Sequence, residues 1–131
     1  MTDIDVIDTL IQRVRDNCPG LAMVDEAWFA EPLDNFDEQT PAALIYLAED
    51  AARADADTLR PVQPVRLTYG LWLVCKRPDF RPQRQALRDT LIGAEMTPEH
   101  NPMQYRGGQT TDIRGELIWW REFWTTDTWL R

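Results

Sequence analysis

The strongest constraint on this chain is the run Leu117-Ile118-Trp119-Trp120-Arg121-Glu122-Phe123-Trp124. On the two-residue period of a strand, Trp119 and Phe123 point one way with Arg121 between them. Trp120 and Trp124 point the other way with Glu122 between them. Large aromatics therefore stand on both faces. A sheet face open to water does not normally hold two Trp side chains, so the strand calls for cover on both sides. Either a helix of the same chain covers the second face, or that face meets another subunit. Trp, Tyr and Arg are favoured at interface centres, which makes Trp119, Trp120, Arg121, Glu122 and Trp124 candidate interface residues.

The rest of the chain supplies a sheet for this strand. Val65, Leu67, Tyr69, Leu71, Leu73 and Cys75 alternate with Arg66, Thr68, Gly70 and Trp72, so Val65–Cys75 reads as a strand with one apolar face. Pro41–Ala48 is a short apolar strand, and Leu21–Phe29 reads as another. Met103–Ile113 and Glu116–Thr126 read as a hairpin turning at Arg114-Gly115, with Gly107-Gly108 marking a bulge or a close backbone approach. Ile4, Ile7, Ile11 and Val14 fall on one helical stripe, capped by Thr2 or Asp3 and stopped by Asn17-Cys18-Pro19-Gly20. A second helix is expected from Arg81 or Pro82, with Pro82 at its first position, to Ala94. Lys76-Arg77-Pro78-Asp79 reads as the end of the preceding strand. Acidic Glu31–Thr40 and the mixed Glu49–Pro64 read as loops. No repeat or linker divides the chain, so residues 1–131 form one domain. The order implies an α+β fold, a mainly antiparallel sheet with two helices packed on one face.

Motifs for catalysis are sparse. The chain contains no serine and one histidine, so no Ser–His triad is available. His100, in Pro98-Glu99-His100-Asn101-Pro102, is expected in a surface turn. Cys18 and Cys75 form no C-x-x-C pair. Cys75 is expected to be buried. Cys18, at a helix C-terminus, is expected to have a raised pKa. Asp55 and Asp57 superficially resemble a calcium loop, but the glycine and terminal Glu of that pattern do not follow. Neither a Walker A loop nor a G-x-G-x-x-G occurs. No cofactor or metal is expected, and no enzymatic activity. The net charge of −8 repels duplex DNA and anionic membranes alike. No basic-then-apolar leader opens the chain, and no apolar run reaches the ~20 residues that span a bilayer. Folding is expected in a reducing cytoplasm.

The order of elements, with Tyr105, Gly107 and Gly108 followed by Trp119, Trp120, Arg121 and Glu122, resembles the tail-terminator (tail-completion) proteins of long-tailed phages, nearest to those of Mu-like phages. The match in element order spans nearly the whole chain. The match in residues is confined to about the last thirty. The resemblance implies a virion protein, made in the host cytoplasm, that forms a hexameric ring on the tail tube. Such a ring ends tube polymerisation, contacts the tube protein, and presents a surface to the head–tail connector. DNA passes through it without specific binding. An acidic chain fits a lumen that must not grip phosphate. Asp34, Asp37 and Glu38, with Asp55 and Asp57 in the Glu49–Arg60 loop, are the candidate lumen or docking residues. Alternatives are a head–tail connector or neck protein, a small ligand-binding domain with Trp72, Trp119 and Tyr105 lining its pocket, and a regulatory protein that binds through its aromatic face.

Overall fold

The computed structural model describes residues 3–34, 36, 38–52 and 63–130. The elements run α1 (Ile7–Asn17), β1 (Met23–Glu26), β2 (Ala42–Ala52), β3 (Gln63–Lys76), α2 (Arg77–Leu91), β4 (Gln104–Arg114) and β5 (Leu117–Leu130). The strands form one five-stranded sheet in the order β1-β2-β3-β5-β4. β1 runs parallel to β2, and every other pair is antiparallel. The chain is α+β, as the strand-rich order implied.

Both helices pack on one face. There Leu10, Ile11 and Val14 of α1 and Leu87 and Leu91 of α2 meet the alternating residues Val65 to Cys75 of β3 and Trp120 and Trp124 of β5. The second face carries a smaller core of Leu44, Trp72, Val74 and Trp119. Among the described residues no helix covers Trp119. The cover is the irregular stretch after β1, whose Ala27, Phe29 and Phe36 pack against it. Phe36 and Trp72 stand edge-on to the Trp119 ring at 5.3 and 5.5 Å. Glu31–Thr40, expected as a solvated loop, thus contributes Phe36 to a core.

Several boundaries differ from expectation for physical reasons. α1 starts at Ile7, not near Ile4, because Asp5 Oδ1 accepts the Ile7 N–H at 3.1 Å and Asp3 Oδ1 accepts the Asp5 N–H at 3.0 Å. These local turns compete with helix. Thr2 lies outside the described residues. β1 is shorter than Leu21–Phe29. β2 runs on to Ala52 and β3 begins at Gln63, so both ends of the expected Glu49–Pro64 loop, 49–52 and 63–64, are paired strand; residues 53–62 lie outside the described residues. A register shift between Leu47 and Glu49 lets the polar end of β2 keep pairing with β3. α2 begins at Arg77, directly after β3, so Arg77–Asp79 open a helix instead of a loop. Pro78 takes the early-helix place expected for Pro82, which lies inside. The β4–β5 turn falls at Gly115-Glu116, with Gly115 at φ +61°.

Candidate functional site

The residues that carry the phage resemblance are assembled by strand register. Tyr105 pairs with Trp124, Gly107 with Phe123, and Gly108 with Glu122. On the helix-covered face, Glu122 is fully buried. Trp124 Nε1 donates to its Oε2 at 3.1 Å, and Trp120 Nε1 reaches Oε1 at 3.4 Å. Burial pushes the Glu122 carboxyl above its ordinary range, against the pull of the two indole N–H groups and of Arg88 and Arg84. Gly108 leaves room for this arrangement. A Cβ there would stand 2.5 Å from Trp120 Cζ2 and 2.8 Å from Tyr105 Oη. Tyr105 Oη accepts a hydrogen bond from Arg88 Nη2 at 2.9 Å.

On the opposite face, the Arg121 guanidinium lies 4.9 Å from the Trp72 ring centre and 5.2 Å from that of Phe123. Its Nη1 donates to the Ala30 carbonyl at 2.8 Å, which ties the covering stretch to β5. Of the five residues expected at a subunit interface, Trp119, Trp120, Glu122 and Trp124 are thus enclosed by the chain's own elements. Only Arg121 keeps partial exposure. Their aromatic pattern reports two cores, one on each side of the sheet, so the side chains do not form a surface patch.

Of the candidate lumen residues, Asp34 and Glu38 are described. Asp34 is exposed and ion-paired with Arg114 at the β4–β5 turn. Glu38 is exposed. Ala52 and Gln63, which flank residues 53–62, sit at the other end of the sheet, where Gln63 pairs with Leu130. Asp37, Asp55 and Asp57 lie outside the described residues. The pocket imagined between Trp72, Trp119 and Tyr105 is not formed, since Trp72 and Trp119 are fully buried on one face and Tyr105 packs on Trp124 on the other. A concavity of about 530 Å³ lies elsewhere, between Ile4, Thr97, His100 and Trp129. His100 is buried, contrary to expectation. Its Nε2 donates to the Ile4 carbonyl at 2.8 Å, and its Nδ1 lies 2.6 Å from Thr97 Oγ1. This links the segment before α1 to the turn before β4. Cys18 and Cys75 are buried. Burial is what raises the Cys18 thiol, opposed by its contact with Thr90, so the cause differs from the helix end invoked above. Among the described residues no cluster of three or more His, Cys, Asp or Glu could hold a metal ion, and no helix is long and apolar enough to cross a membrane.

Two charged edges went unread in the sequence. Arg77, Arg81, Arg84 and Arg88 fall at intervals of four, three and four along α2, a single helical stripe. Arg88 bonds Tyr105, so the stripe faces the β4 side of the molecule. The Arg84 guanidinium rests 5.4 Å from the Trp120 ring centre and that of Arg88 4.7 Å from Tyr105. Among the described residues, none of the four guanidiniums is ion-paired with a carboxylate. At the opposite edge of the sheet, Asp25 and Glu26 of β1 lie beside Asp8 and Asp5. Burial and repulsion from Asp8, Asp5 and Asp25 all push the Glu26 carboxyl up. Two residues on, Trp28 is 84% exposed.

No family model matches this chain, and no curated protein does either. The functional reading therefore rests on the residues and on the resemblance they carry.

Proposed function

We propose that the protein is a tail terminator of a tailed phage, a non-enzymatic structural subunit of the virion. In this reading, copies form a ring, expected to be a hexamer, on the completed tail tube. The ring stops addition of tube protein and offers the head–tail connector its docking surface, and DNA passes through it. One observation carries the reading. The residues of the phage-like pattern lie on the two strands of one hairpin, where Gly108 pairs with Glu122, and several share contacts: Gly108 makes room for Trp120, and Glu122 accepts from Trp120 and from the neighbouring Trp124, on which Tyr105 packs. These contacts make that part of the pattern one structural unit, and it is this unit that supports the reading.

The test is electron microscopy of tails assembled with and without the protein, with the protein itself labelled. Tails of uniform length ending in labelled density, and overlong headless tubes in its absence, are the expected result. Normal tail length with the label at the neck would move the assignment to a connector. Normal tails without label would remove the protein from the virion.

A further inference from the structure

We propose that the arginine stripe of α2 in one copy docks on the acidic β1 edge of a second copy, with Trp28 offering its indole face to an arriving guanidinium. The proposal deepens the ring reading and rests on it for the choice of a second copy as the occupant. The surfaces themselves come from this chain's geometry.

The charge is segregated along the sheet. Because the strand order is β1-β2-β3-β5-β4, the acidic patch at β1 and the stripe over the β4 side lie at opposite edges. A contact between them joins two different patches of identical molecules, so it repeats head to tail and closes into a ring when the rotation allows. Among the described residues neither patch holds an ion pair within the chain; Arg84 and Arg88 already act on the buried Glu122 carboxyl, and the exposed Arg77 and Arg81 are the members of the stripe left for a partner. Arginine is also unfavourable in the first turn of a helix, where the dipole is positive, so Arg77 does not serve the stability of α2. The rings beneath Arg84 and Arg88 hold those guanidiniums in place, which lowers the entropy lost on docking. Trp28, so exposed beside Asp25 and Glu26, suits the face of a cation that the carboxylates attract. Regular sheet extension is the competing mode at the β4 edge. Register shifts at Tyr105/Gly107 and Thr110/Asp112 break that ladder and discourage it.

The experiment is a charge swap in the full chain. One variant carries Asp25→Arg and Glu26→Arg, the other Arg77→Glu and Arg81→Glu, and sedimentation velocity reads association over a concentration series. The wild type is expected to self-associate, and to dissociate at about 1 M salt, where the screening length falls to about 3 Å. Each variant alone is expected to associate at least about tenfold more weakly. An equimolar mixture is expected to recover assembly, because the unaltered stripe of the first variant meets the unaltered acidic edge of the second, and the two altered patches, now of opposite charge, meet each other. Near-ultraviolet circular dichroism verifies the fold. If a variant does not fold, the single neutral changes Asp25→Asn and Arg81→Gln replace it, with weaker association expected from each. A wild type that stays monomeric at every concentration, variants that assemble like the wild type, or a mixture that stays apart overturns the proposal. Retarded duplex DNA with no self-association would also overturn it and make the stripe a phosphate-binding surface. Tail length reads the terminator function separately. Terminated tails with unaltered assembly by the variants would sink the interface alone, and charge-dependent assembly with no effect on tails would sink the terminator reading alone.

Discussion

Glu122 combines full burial with two indole N–H donors and no ion pair in direct contact. A carboxyl whose pKa is higher in the folded chain than in the unfolded one holds its proton more tightly when folded. Its contribution to stability is therefore fullest at low pH. It declines as pH rises from the ordinary carboxyl range, near 4.3 for Glu, towards the raised folded value. Glu122→Gln abolishes this titration. In urea unfolding, the stability of the wild type minus that of Glu122→Gln should fall as pH is raised from about 4 to about 7. A difference that stays flat would mean that the folded and unfolded carboxyls titrate alike. Gly108 permits the same cluster by having no side chain. Gly108→Ala should cost about 1–3 kcal/mol in the same assay and alter the near-ultraviolet signal of Trp120, because the added methyl competes with the indole for space. Alternation in the sequence sorted Trp119 and Phe123 from Trp120 and Trp124 onto the two faces. It could not disclose that Glu122 sits under a helix, because a lone Glu between aromatics reads equally well as an exposed rim. His100 misled for the opposite reason. Its Pro-flanked setting reads as a surface turn, while its burial depends on the distant Ile4 carbonyl.

Among the elements, β3 was the most legible, since one side of its two-residue alternation is fully apolar and packs under both helices. The polar end of β2, Glu49–Ala52, was not legible. Its residues are mostly exposed, and only pairing with β3 makes them strand. The start of α2 was hidden by Lys76-Arg77-Pro78, which resembles a stop signal although proline is well tolerated in a first helical turn. The entry to α1 was misplaced because two aspartates, good caps in principle, instead close local turns. That entry is anchored by β3. Tyr69 Oη donates to Asp5 Oδ1 at 2.7 Å and accepts the Val6 N–H at 2.9 Å. Tyr69→Phe leaves a buried backbone N–H without its acceptor and should cost about 1–3 kcal/mol. Hydrogen exchange at Val6 should speed up well beyond that of the α1 interior. Unchanged protection at Val6 would show that the anchor lies elsewhere.

At the scale of the molecule, the chain reads as a sheet with a hydrophobic core on each side and a charge gradient from the β1 edge to the β4 side. Composition reported the sum of that gradient, −8, and a sum conceals a dipole. The arginine stripe was visible as a spacing of four, three and four. A helix starting at Arg81 or Pro82 leaves Arg77 outside it, and the stripe is complete only because α2 begins at Arg77. The aromatic strand drew attention as a surface because its hydrophobicity is extreme, yet such extremity marks what the fold must enclose. The two thiols have a practical consequence. Cys18 and Cys75 are enclosed, and burial pushes the thiol of Cys75 up to about 11. The thiolate is the reactive form, so neither native cysteine will compete for maleimide reagents at neutral pH. A single cysteine introduced on an exposed edge then becomes the one addressable position in each copy, and distances between dyes can report how neighbouring copies are ordered.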